Sequence, residues 1–244
     1  MFVSVKQLKE EMGVDENIAR FFVDRKVPAN NSFWQKRLLY IGRRNGYISI
    51  PVYYDILFRI GVPKEALLDE QHVYFMEQLM HYAILHEKNE ITFFQQLEEI
   101  NKMLAGRIRE QSFYEELLNY LTQTTLYPRG RLGLNYKTLN RADVFLYVLC
   151  DLPLQGKMLD DAIRYWYALH PSYLIFDDVY DYEKDKAEGE ENAILELGGG
   201  NEGLERAIGI LAQNAEILKE ISPALCDSIY LHIEVIRERE TKFE

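Results

Sequence analysis

The stretch Tyr173-Leu174-Ile175-Phe176-Asp177-Asp178-Val179-Tyr180-Asp181-Tyr182-Glu183-Lys184-Asp185 decides how this chain is read. An apolar tetrad runs straight into a repeating aspartate. In a helix, Asp177, Asp181 and Asp185 stand at i, i+4 and i+8, and each step of four turns about 40° past a full circle. The three carboxylates then share one face over about 12 Å, with Asp178 beside them. Carboxylates held that close raise one another's pKa unless a cation lies between them. Hard oxygen ligands of this kind suit Mg2+, which keeps several waters and shares the rest of its shell with phosphates. The plainer reading is a solvated acidic face with Lys184 and Lys186 as partners. The tetrad favours a site, because it packs the helix deeply where the acids begin.

Working outward, Leu159 to Asp185 reads as one long helix interrupted at His170-Pro171, where proline removes a hydrogen bond and kinks the chain. Tyr136 to Asp151 reads as a strongly apolar helix, opened by Lys137-Thr138 and closed by Pro153. The loop Tyr127 to Gly133 precedes it. Glu90 to Leu104 and Gln111 to Leu126 are amphipathic helices. Asp69 to His86 is a long helix, and Pro51 is placed as the first residue of another that runs to Gly61. Ser4 caps a helix that Gly13 stops, and Asp15 to Lys26 follows, ended by Pro28. Asn31 or Ser32 opens a helix carrying Trp34 and the basic cluster Lys36, Arg37, Arg43 and Arg44, read as solvated charge with an anion-binding wall as the alternative. After Asp185 the chain turns polar. The Gly198-Gly199-Gly200 run lacks a phosphate loop's Lys-Ser/Thr ending and reads as flexible. Helices near Glu202 to Ile221 and Pro223 to Thr241 finish the chain. No sustained alternation supports a sheet, so the expectation is an all-α, single-domain bundle of about ten helices over residues 1–244.

The 244 residues are 48% hydrophobic and 27% charged, the balance of a folded, soluble protein. The 17 Tyr and 12 Phe supply large apolar bodies. A net charge of −11 argues against nucleic acid or an anionic membrane as a general partner, while an anionic substrate bound through metal stays compatible. Cys150 and Cys226 lie in apolar stretches without metal-ligand spacing and read as buried thiols of a reducing compartment. The N-terminus lacks a signal peptide's apolar core and no run is long enough to span a membrane, so a cytoplasmic location is expected. Glu77 and His81 form an i, i+4 pair that reads as an ordinary hydrogen-bonded histidine rather than a metal site.

Lys137-Thr138 opening an apolar helix, Asp177-Asp178-x-x-Asp181 40 residues later, and about 60 residues beyond Asp185 together resemble the second half of the trans-isoprenyl diphosphate synthases, of the class I isoprenoid synthase fold. Read at one residue in four, Asp177, Asp181 and Asp185 are also similar to the metal-binding triad of class I terpene cyclases. The match covers roughly residues 130 to 195. It implies an isoprenoid synthase-like bundle, Mg2+ held by Asp177, Asp178, Asp181 and Asp185, and diphosphate contacted by Lys137 and Thr138, with Arg131 and Arg141 as further cations. The implied activity is that of a prenyl transferase or terpene cyclase acting on a prenyl diphosphate. The alternative is a non-catalytic isoprenoid-diphosphate binder or the partner subunit of a heteromeric synthase, and homodimers are common in the family. The chain departs from the pattern upstream. No first aspartate-rich motif precedes residue 177, and the nearest acids are Asp69-Glu70 and Glu77. Tyr173-Leu174 replaces the usual Phe-Gln, and Pro171 is unexpected.

Overall fold

One helix sets the geometry of the rest. The computed structural model describes residues 4–26, 30–31, 45–123 and 128–238. Within them, α8 (Lys157–Glu188) runs 32 residues, about 48 Å at 1.5 Å per residue. Gly189 ends it at φ 71°, a left-handed conformation that glycine adopts without a Cβ penalty, and donates its N–H to the Asp185 carbonyl. The break expected at Pro171 is absent, and the helix continues through it. Pro171 is buried, Ser172 Oγ donates to the Ala168 carbonyl (2.8 Å) and Asn214 Nδ2 donates to Ser172 Oγ (3.1 Å). Tertiary packing thus outweighs the roughly 3 kcal/mol that an interior proline costs.

Around α8 the described residues are all-α, without a strand. The chain begins with α1 (Val5–Met12), capped by Ser4 and stopped by Gly13, and α2 (Glu16–Asp24), capped by Asp15. The helix α3 (Asn45–Arg59) contains Pro51 in its interior rather than opening there. Ile48 to Leu57 are buried without interruption, so burial on all sides carries the helix past the proline. Next come α4 (Lys64–Leu67), α5 (Glu70–Glu87), α6 (Phe93–Leu104, with a Thr92–Gln95 capping box) and α7 (Gln111–Leu121). Beyond α8 lie α9 (Ala193–Glu196), α10 (Gly200–Lys219) and α11 (Pro223–Arg237). A continuous apolar core joins these elements, from Leu8 to Ile236, so the loop before Gly133 does not divide the chain. The expected helix with Trp34 and the basic cluster, like Pro28 and Tyr127, lies outside the described residues.

Two further expectations are corrected. Tyr136 to Asp151 is not an α-helix but two 3-10 segments, Lys137–Asn140 and Asp143–Leu149. Phe145 to Leu149 are buried without exception, so the segment has no solvent face and follows the packing of α5, α7 and α8 rather than its own periodicity. The glycine run is an ordered turn. Gly198, Gly199 and Gly200 take φ of 124°, 70° and 52°, and the Gly200 N–H donates to the Tyr182 hydroxyl at 2.7 Å. Beyond it Gly203 meets α9 so closely that a Cβ would stand 2.3 Å from the Ile194 carbonyl oxygen. Gly203→Ala is expected to destabilise the chain by about 1–3 kcal/mol, read as a lower midpoint in urea unfolding.

Candidate functional site

The four acids of the opening stretch fall on the last turns of α8, and their surroundings differ. Asp177 is exposed, Asp181 and Asp185 are half-buried, and Asp178 is buried. The 3-10 segment Lys137–Asn140 docks against this end of α8 and brings the predicted cations with it. Arg141 grips Asp178 with both arms of its fork, Nη1 to Oδ2 at 2.9 Å and Nη2 to Oδ1 at 2.7 Å. The Ala193 N–H also donates to Asp178 Oδ2, at 2.7 Å. Burial works against the Arg141 charge, but the Asp178 bridge and the nearby Asp177 and Glu191 carboxylates outweigh it and raise its pKa. Asn192 closes the loop after α8, donating from Nδ2 to the Asp178 carbonyl (2.8 Å) and to Asp185 Oδ2 (2.9 Å).

The Lys137-Thr138 pair holds an anion, and that anion is a side chain of the protein. The Glu196 carboxylate accepts from the Lys137 N–H (2.8 Å), the Thr138 N–H (2.9 Å) and Thr138 Oγ1 (2.5 Å). Lys137 Nζ pairs with Glu191, both half exposed, and that ion pair raises the lysine pKa. Asp181 makes no hydrogen bond or ion pair among the described residues. Lys137, Thr138, Arg141, Asp178 and Asp185 therefore form one cluster, with Asp177 in the field of Arg141.

Arg131 does not join it. Its guanidinium binds Glu116 (3.0 Å) and Asp160, and lies over the Phe113 ring. Asp160 stands 17 residues before Asp177, about 25 Å along the helix axis.

Mg2+ is the cofactor the resemblance implies, and the acids fit it only in part. Asp178 spends both oxygens on Arg141 and Ala193, so it is not available as a ligand. Among the described residues no three His, Cys, Asp or Glu side chains converge closely enough to hold a metal ion. A Mg2+ shared with phosphates needs only one or two carboxylates. Asp181 with Asp177 or Asp185, one turn away on the same face, supplies that number.

The upstream acids do not form a second wall. Asp69 caps α5, accepting from the Gln71 and His72 N–H groups at 3.0 Å. Glu70 and Glu77 both bind Arg25, with Glu77 fully buried and bridged at 2.5 and 3.0 Å. Glu77 is thereby committed to Arg25 rather than to a metal shared with His81. His72 is held between the Tyr54 hydroxyl (2.9 Å) and Asp151 (2.7 Å).

One constellation has no counterpart in the sequence reading. Asp143, buried in the second 3-10 segment, accepts from the Tyr120 hydroxyl (2.7 Å), the Tyr167 hydroxyl (2.9 Å) and Trp166 Nε1 (3.0 Å). No cation pairs with it among the described residues. Burial pushes its carboxyl up to about 6, against the opposing pull of the three donors. Its one sequence signal is a lone acid inside the apolar run from Tyr136 to Asp151. Trp166 stacks with Phe145 (5.3 Å) and with His170 (4.4 Å), and burial with the nearby Arg141 pushes His170 down to about 3. Tyr53, Tyr54, Tyr120, Tyr147, Phe22, Phe75 and Phe113 are fully buried, so these rings are core rather than cavity lining.

No protein-family model, curated protein or solved structure matches this chain.

Proposed function

We propose that the chain binds the diphosphate of an isoprenoid through Mg2+ at the Asp177, Asp181 and Asp185 face of α8, and does not itself ionise it. The observation that carries the reading is the docking of Lys137 and Arg141 on the acid-bearing end of α8. Asp181, without a partner among the described residues, is the primary metal ligand, and Asp177 or Asp185 the second. Lys137, whose Nζ pairs among the described residues with the half-exposed Glu191, is the cation that can turn to a phosphate; Arg141 stays with Asp178 and contributes its field. The isoprenoid tail rests on the resemblance of the motif spacing alone.

Restriction to binding follows from electrostatics. Ionising an allylic diphosphate requires charge on the leaving group to be dispersed over several metal ions and cations. Here Asp178 is sequestered, and Asp69, Glu70 and Glu77 are spent on a helix cap and on Arg25. The non-catalytic binder or partner subunit therefore stands ahead of the prenyl transferase or terpene cyclase. Calorimetric titration of Mg2+ with pyrophosphate, then with farnesyl diphosphate, is expected to show binding that needs both components and weakens about tenfold or more in Asp181→Ala. No binding to the unaltered chain overturns the site. Pyrophosphate released from an allylic diphosphate by the chain alone restores the enzyme.

A further inference from the structure

A cavity of about 450 Å3 lies between α1, α3, α8 and α11, in the size range of sites that enclose small ligands. It belongs to another face of α8 than the Arg141-bound acid. Phe176 lines it, and Asp178, two residues on, points about 160° away around the helix. Leu169 and Phe176 of α8 and Leu225 and Ile229 of α11 give it an apolar body.

Its charged groups are of one sign, among the neutral Gln7, Ser172 and Ser228, with Gln7 Nε2 donating to Glu11 Oε2 at 2.9 Å. The exposed carboxylates of Glu11 and Asp227 line it, and no lysine or arginine does so among the described residues. His232 lies stacked on Phe176 at 4.8 Å, and its Nδ1 sits 2.8 Å from the Ser228 carbonyl. A carbonyl only accepts, so Nδ1 carries a hydrogen and Nε2 has no protein partner among the described residues. Tyr173 adds an aromatic face. Two carboxylates, two π faces and a ring nitrogen favour a cation that donates hydrogen bonds, and they repel an anion.

The geometry points to a binding site here for an amphiphile with an aliphatic body and a protonated amine head. The site is independent of the diphosphate reading, whose anionic head Glu11 and Asp227 would repel. Calorimetry on the full chain with dodecylamine and dodecanoate, each below its micellar concentration at pH 7.5, tests it. Dodecylamine is expected to bind, and dodecanoate about tenfold more weakly or not at all. Asp227→Lys, an exposed change on α11, is expected to weaken the amine about tenfold and to narrow or reverse the preference. Ile229→Phe, which fills the cavity, abolishes both; should that variant fail to fold, Asp227→Lys decides alone. Asp181→Ala leaves amine binding as it is, which separates this outcome from that of the diphosphate titration. Equal binding of amine and carboxylate, no effect of Asp227→Lys, or no amine binding by the unaltered chain overturns the assignment.

Discussion

Arg141→Ala is expected to destabilise the chain by about 3–5 kcal/mol, the cost of leaving a buried charge without its partner. Asp178 is 4% exposed, and its two oxygens take both Arg141 bonds and the Ala193 N–H. Without the guanidinium, one backbone N–H is left to hold the carboxylate. Equilibrium unfolding in urea measures the loss. Arg141→Met with Asp178→Leu removes both charges, and the pair of changes is expected to recover most of the stability that either change alone loses. The same set bears on function. A metal-ligand role for Asp178 requires Asp178→Asn to keep the fold and lose Mg2+-pyrophosphate binding. The structural role requires the fold to weaken and added Mg2+ to restore nothing.

The second large effect is a pH dependence centred on Asp143. Its folded value, about 6, lies above the ordinary carboxylate value of 3.8. The folded chain therefore binds the proton more tightly than the unfolded chain does. Stability from this group is fully present below about 3.8 and is lost as pH rises to about 6, an effect on the order of 3 kcal/mol. The groups facing the carboxyl are Tyr120 of α7 and Trp166 and Tyr167 of α8, none of them cationic. Other carboxylates titrate in the same window, so the readout is a difference. Urea unfolding of the unaltered chain and of Asp143→Asn between pH 4 and 7 is expected to diverge with that sign. Parallel profiles would show that Asp143 gains its proton no more readily in the folded chain than in the unfolded one.

Much of the helical order was legible because its signals are local. Ser4 caps α1 and Gly13 stops it as expected, and the helices expected from Asp15 and from Asp69 open there, with the structure adding that both aspartates serve as caps. The acid face on α8 follows from a period of 3.6 and is present as spaced. Boundaries failed where burial surrounds a segment. Pro51 and Pro171 sit inside helices held on all sides, and Phe145 to Leu149 adopt 3-10 geometry in a stretch whose composition suggested a regular helix. The three glycines suggested flexibility, yet their positive φ values make one defined turn under Tyr182.

The candidate site divides in the same way. By itself the sequence determined that Asp177, Asp181 and Asp185 share a face, that Lys137, Thr138 and Arg141 lie within a few residues of one another, and that the chain is helical. Those are properties of spacing, and spacing is written in the chain. Which charges meet was decided only by the tertiary structure: Arg141 with Asp178, Lys137 with Glu191, Glu196 on the Lys137 and Thr138 amides, and Arg131 some 25 Å away with Asp160. The pairing energies of these groups depend on burial and on distances across as many as 59 residues of sequence, set by how the 3-10 segments and α9 pack on α8.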